Sequence, residues 1–160
     1  MSGSLKRIIS GGQTGVDRAA LDVALQSGVP CGGWCPKGRR AEDGRIDDRY
    51  LLEETPSEEY EQRTMWNVRD ADATLILALR SPLSGGTQYT TQVAGSLGKP
   101  CHVVVLDDRA SLTIVADWLR RHAVGTLNVA GPRESGAPGV YRKAHAFLTN
   151  LLRLQREYGW

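Results

Sequence analysis

The stretch Ile8-Ile9-Ser10-Gly11-Gly12-Gln13-Thr14-Gly15-Val16-Asp17-Arg18 decides how this chain folds. An apolar pair ends in a glycine-rich turn, and the turn passes straight into a pattern that sets Val16, Ala19, Ala20, Val23 and Ala24 on one helical face. A strand delivered through small residues to a helix start aims unpaired N–H groups and the positive end of the helix dipole at one point. Such a point favours an anion, above all a phosphate. Gly11, Gly12, Gln13, Thr14 and Gly15 are therefore candidate phosphate-binding residues.

The turn departs from two standard fingerprints. A P-loop carries Lys and then Ser or Thr after its last glycine, whereas Val16 and Asp17 follow Gly15 here, which argues against ATPase or GTPase chemistry. In the dinucleotide pattern Ser10 stands where the first glycine belongs, and the acid expected about 20 residues on is missing. The second strand runs instead into Lys37, Arg39 and Arg40. NAD binding of the usual kind is disfavoured on both counts.

Outward from the turn, strand and helix alternate. Residues 7–10, 30–35, 74–79, 102–106 and 126–130 read as strands, with 51–53 a weaker sixth, and several are near-continuous apolar runs. Residues 14–27, 57–70, 87–97, 110–122 and 140–158 read as helices, with Gly28 and Gly98-Lys99-Pro100 as stops. In the last of these Ala144, Phe147, Leu148, Leu151, Leu152 and Leu154 form a core face. Strands joined by crossover helices predict a single α/β domain over residues 1–160, Rossmann-like and doubly wound. Its sheet is mainly parallel, of about five or six strands, with helices on both faces. Ligands of such sheets lie beyond the C-terminal strand ends.

That rule gives weight to two further strand ends. The run from Asp70 to Leu79 leads to Ser81-Pro-Leu-Ser84-Gly85-Gly86-Thr87, a second glycine-rich loop before a helix. Ser84, Gly85, Gly86, Thr87 and Thr90 join the candidate site, because backbone N–H groups and hydroxyls bind an anion without adding negative charge. Trp34-Cys35-Pro36-Lys37-Gly38-Arg39-Arg40 brings cations to a third end, and Lys37 and Arg39, together with Arg63, are expected to complete the anion site.

Composition sets outer bounds. The 160 residues are 41% hydrophobic, and Lys plus Arg (20) nearly balance Asp plus Glu (18), so charge points neither to nucleic acid nor to an acidic membrane. Met1-Ser2-Gly3-Ser4 lacks a signal core and no apolar run approaches the ~18 residues of a span, so a soluble cytoplasmic protein is expected. Cys31, Cys35 and Cys101 have no zinc-type spacing to one another or to His102, His122 and His145. No metal site is predicted, and the thiols read as buried and reduced.

Several motifs in order carry a resemblance. Residues 9–22, Gly33-Trp-Cys-Pro-Lys-Gly-Arg39, Ala41-Glu-Asp-Gly-Arg-Ile46, Arg63-Thr-Met-Trp-Asn-Val68, Asp70-Ala-Asp72 and Gly85-Gly-Thr-Gln-Tyr-Thr90 resemble the family called "putative molybdenum carrier". That family is similar in turn to the Lonely Guy type phosphoribohydrolases, which cleave nucleoside monophosphates. The resemblance implies a Rossmann-like nucleotide- or phosphate-binding pocket, a phosphate-bearing small molecule as partner, molybdenum cofactor as possible cargo, and a homo-oligomer. Against the phosphoribohydrolases, Arg63 matches an arginine on the helix before the fourth strand, and Leu83–Thr90 matches their glycine loop with Thr90 in place of the catalytic glutamate. A threonine supplies no carboxylate, so an enzyme would need Asp17, Glu42, Asp43 or Asp47 together with Arg63. Two readings stay open: a carrier of a phosphate-bearing ligand, or an enzyme acting on nucleotide phosphates.

Overall fold

In the computed structural model, which describes residues 5–158, the opening apolar pair lies in β1 (Arg7–Ile9) and leads through the glycine turn into α1 (Val16–Ser27). The reading of Met1–Ser4 falls outside the described residues. The chain continues through β2 (Cys31–Gly32), β3 (Trp34–Cys35), β4 (Arg40–Ala41), β5 (Gly44–Arg45) and β6 (Glu53–Glu54) to α2 (Tyr60–Asp70). It then runs through β7 (Ala73–Ala78), α3 (Gly85–Ser96), β8 (Cys101–Val105), α4 (Leu112–Arg121) and β9 (Thr126–Ala130), and a short 3-10 turn (Glu134–Gly136) precedes α5 (Val140–Tyr158).

The central sheet is five-stranded and parallel throughout, in the order β2-β1-β9-β7-β8. Helices cover both faces, and at the centre all six residues of β7 are buried. On one face α1, α4 and α5 close the main core, where Val16, Ala20, Trp118, Leu119, Phe147, Leu148 and Leu151 pack on Ile8, Leu75, Leu77 and Leu127. On the other, Val68 of α2 packs with Val93 and Ala94 of α3. Each fully buried aliphatic side chain contributes about 1.5–3 kcal/mol relative to exposure, so both layers hold the sheet. The result is the predicted doubly wound α/β sheet. Gly28 ends α1 in the left-handed region (φ 72°), as a stop after a helix requires.

Three local differences have physical causes. The strand expected over 30–35 breaks at Gly33 (φ 127°), where a Cβ would stand 2.3 Å from the Ser10 carbonyl oxygen. β2 therefore stays in the central sheet, while β3 turns away and pairs in parallel with β6. The weaker sixth strand is thus part of a satellite sheet. A short antiparallel hairpin, β4 with β5, escapes the sequence patterns because two residues per strand show no period. These pieces enclose a small second core of Leu21, Cys35, Ala41, Ile46, Tyr50 and Leu52. Among the described residues no helix is long and apolar enough to cross a membrane.

At the sheet centre β9 separates β1, whose following helix lies on one face, from β7, whose following helix lies on the other. The chain ends of these three strands diverge there, and a crevice opens where doubly wound sheets hold ligands.

Candidate functional site

A cavity of about 610 Å³ fills that crevice. Gly11, Gln13 and Asp17 come from the turn after β1, Tyr60, Glu61, Arg63, Thr64 and Asn67 from α2, and Ser84, Gly85, Gly86, Thr87, Tyr89 and Thr90 from the start of α3. The end of β9 and the loop after it, Asn128 to Arg133, supply the remaining wall together with Gly136.

Arg63 is the central cation. Its side chain is 11% exposed, its Nη1 donates to the Gly11 carbonyl at 2.9 Å, and the same nitrogen lies 3.7 Å from Asp17 Oδ2. A Cβ at Gly11 would approach Nη1 to 2.6 Å, so a glycine there lets the guanidinium lie against the turn. Asp17 sits buried in the first turn of α1 and accepts the Gln13 N–H at 3.3 Å. Burial pushes its carboxyl above the ordinary carboxylate range, with the Arg63 charge and the Gln13 N–H opposing the shift.

The two glycine loops are unequal. At α3, Ser84 is extended and makes no capping hydrogen bond through its side chain, Gly85 adopts a positive φ of 55°, and open space surrounds Gly85 and Gly86. The first N–H groups of α3 thus face the cavity uncapped. At α1 the donors are already engaged: Val16 N–H donates to the Pro132 carbonyl at 3.3 Å, Thr14 N–H to Gln13 Oε1 at 3.0 Å, and Gln13 N–H to Asp17. The Gln13 side chain also accepts the Glu42 N–H at 2.9 Å, which ties the turn to the hairpin.

This geometry divides the predicted residues. Gly11, Gln13, Arg63, Ser84, Gly85, Gly86, Thr87 and Thr90 line the cavity, as does Asp17. Gly12, Thr14 and Gly15 lie behind its wall. A Cβ at Gly12 would meet Leu52 at 2.6 Å and Ile46 at 2.8 Å, one at Gly15 would meet the Pro132 carbonyl oxygen at 2.4 Å, and the Thr14 hydroxyl donates to Glu42. Lys37 and Arg39 are corrected outright. Lys37 is exposed away from the cavity, and Arg39 is buried with its guanidinium on the carbonyls of Ile46, Leu52, Asp47 and Tyr50 at 2.8–3.2 Å. The divergence of β3 at Gly33 carries both out of reach, and Arg39 stitches the satellite core instead.

The candidate acids divide likewise. Glu42 accepts the Ser135 hydroxyl at 2.5 Å and the Thr14 hydroxyl, and these bonds hold its carboxyl below the ordinary range. Asp43 pairs with Arg18 at 3.0 Å, and Asp47 accepts the Arg49 N–H at 2.9 Å. Of the four, Asp17 alone lines the cavity. The Thr90 hydroxyl donates to the Gly86 carbonyl at 2.8 Å and so stays within its own helix.

The lining residues missed in the sequence include Tyr60, Glu61, Tyr89, Asn128 and the Gly131–Arg133 loop. One signal was available for the loop: Gly131-Pro132 directly follows a predicted strand at the same sheet edge. A Cβ at Gly131 would stand 2.3 Å from the Leu77 carbonyl oxygen, which shows how closely the ends of β9 and β7 approach. Among the described residues no cysteine or histidine lines the cavity, and Cys31, Cys35 and Cys101 are free, with thiols pushed above their ordinary range by burial.

Comparison with known proteins agrees with this architecture. The model of the circularly permutated YpsA SLOG family matches residues 8–152. The crystal structure of a protein described as "putative molybdenum carrier protein", from Syntrophus aciditrophicus SB, is similar at 42% identity with a TM-score of 0.87, over 95% of this chain and 98% of that one. No curated protein matches the chain.

Proposed function

The chain belongs to the circularly permutated YpsA SLOG family, and from that premise we propose that it binds a phosphate-bearing small molecule in the crevice above β1, β9 and β7. One observation carries the reading: the uncapped start of α3 opens into the same cavity as the Arg63 guanidinium. A helix N-terminus and a buried arginine facing one volume favour an anion between them. The cavity's size falls within the range of about 300–1,000 Å³ common for small-molecule sites. Tyr60 and Tyr89 add aromatic walls suited to the flat ring of a nucleotide or a pterin.

The similar structure's description suggests a molybdenum-bearing cargo, with molybdenum cofactor, a pterin phosphate, as the candidate. With neither cysteine nor histidine in the wall, a metal carried there would be held through its own organic ligand, and the protein would grip the phosphate. Native mass spectrometry of the protein purified without added ligand, followed by extraction and identification, tests this. A phosphorylated small molecule bound one per chain supports the reading. Calorimetry that detects no binding of nucleoside monophosphates, pterin phosphates or inorganic phosphate contradicts it.

One observation favours the enzyme reading: a buried acid, Asp17, stands beside Arg63 in the cavity. Against it, the helix position where the phosphoribohydrolases carry glutamate holds Thr90, and Glu42, Asp43 and Asp47 are engaged elsewhere. The carrier reading therefore expects no release of free base from a panel of nucleoside monophosphates. Multiple-turnover release abolished by Asp17→Asn would replace it with the enzyme.

A further inference from the structure

The two edges of the central sheet differ. At one end β2 is two residues long, whereas at the other β8 presents five, Cys101-His-Val-Val-Val105, in unbroken register with β7. No lysine, acid, proline or bulge interrupts that run, although these are the usual devices that keep a free edge from pairing.

The ladder to β7 fixes which backbone groups are free. Thr74 N–H donates to the Pro100 carbonyl at 2.9 Å and Leu106 N–H to the Ala78 carbonyl at 2.7 Å, with Thr74 beside Cys101 and Ala78 beside Val105. Alternate residues of a parallel strand bond to one neighbour. His102 and Val104 therefore bond toward β7, and the N–H groups of Cys101, Val103 and Val105 point outward. The carbonyls of Cys101 and Val103 point the same way, while that of Val105 accepts the Asp107 N–H at 2.9 Å. Around this edge Leu97, Val103 and Ile114 are 43%, 41% and 57% exposed, three of the seven large apolar side chains exposed among the described residues.

We propose that the free edge of β8 pairs with β8 of a second copy of the chain, antiparallel and about a two-fold axis at Val103, so that two five-stranded sheets become one. The register follows from the outward groups. An axis at Val103 sets Val103 against its own copy and Cys101 against Val105 as the hydrogen-bonded pairs, all with outward N–H groups, and leaves His102 opposite Val104 in the non-bonded positions between them. A slip of one residue would set outward groups against inward ones. The same register brings Lys99 of each copy, whose Nζ also donates to the Ala71 carbonyl at 2.9 Å, across from Asp107 of the other, so residues of opposite charge lie beyond both ends of the pairing. The contact is isologous and closes on itself. None of residues 97–107 lines the cavity, so this pairing and the ligand site stand or fall separately.

Sedimentation velocity across micromolar concentrations tests the pairing. The unmodified protein is expected to sediment with the mass of two chains. Val103→Pro removes an outward N–H while sparing the ladder to β7, and Val103→Lys sets two like charges on the axis; both are expected to give one chain with an unchanged circular dichroism spectrum. With Cys101 replaced by Ser, Val103→Cys is expected to form a disulfide-linked dimer on mild oxidation, since opposed Cα atoms ~5.5 Å apart suit a disulfide. An unmodified protein of single-chain mass overturns the proposal, as does a folded Val103→Lys variant that remains dimeric. Should Val103→Pro fail to fold, the lysine and cysteine variants still decide. Absence of the Val103→Cys cross-link in a dimer excludes this register.

Discussion

Arg63 and Asp17 set the chemistry of the cavity at the scale of single residues. Charge-assisted contacts to phosphate are worth about 1.5–3 kcal/mol, so Arg63→Ala should cost at least roughly tenfold in affinity for nucleoside monophosphates, read by calorimetry. Affinity within twofold of the unmodified protein would remove Arg63 from the site. Asp17 gives a pH signature. Its folded carboxyl titrates above the unfolded value, so the folded state holds the proton more tightly, and the group's contribution turns unfavourable as pH rises from the ordinary carboxylate range through the raised one. Urea unfolding of Asp17→Asn should match the unmodified protein at acid pH and gain relative stability over that window. A difference independent of pH contradicts the assignment. Both residues were named from the sequence, Arg63 because it lies in a recognisable motif and Asp17 as one of four acids that could stand in for the glutamate replaced by Thr90. Arg39 misled because a cation next to a glycine looks the same in sequence whether it meets solvent, a ligand or four buried carbonyls.

The helix starts differ in a way that only tertiary contacts reveal. Both glycine loops were readable, and the observed starts of α1 and α3 fall within two residues of those predicted. Which start stays open depends on the Pro132 carbonyl, which reaches the first N–H of α1 from the far end of the chain. Two substitutions separate the loops. Gly86→Asp meets no atom within 4 Å, so it should leave stability nearly unchanged yet weaken phosphate-ligand affinity tenfold or more by placing a carboxylate beside the helix N-terminus. Gly12→Asp would drive a side chain into Leu52 and Ile46 from a backbone at φ 80°, so its main effect should be on folding. Overpacking of this kind costs about 1–3 kcal/mol before the backbone strain is added. A fall in Tm of roughly 5–10 °C is expected, measured by thermal unfolding. Normal stability in Gly12→Asp would show that the turn does not pack as described.

In the whole molecule, alternation of apolar strands with amphipathic helices made the doubly wound sheet readable from end to end. What alternation could not convey is the central place of β9, the last strand in sequence, between β1 and β7. That insertion brings a third loop, Gly131–Arg133, to a cavity for which the sequence suggested two loops and a basic strand end. The satellite pieces were equally hidden, since two-residue strands have no period and Gly33 breaks an otherwise continuous apolar run for reasons of close backbone approach.

The central claim is that the anion sits between the start of α3 and Arg63. Amide chemical shifts of uniformly 15N-labelled protein, followed during titration with inorganic phosphate and then with a nucleoside monophosphate, test it most directly. The expected result is that Gly85, Gly86 and Thr87 shift most with either ligand, and that Gly86→Asp abolishes those shifts while the protein stays folded. Saturable shifts centred on residues 12–16 or on Lys37 to Arg40, with the α3 start unmoved, would contradict it.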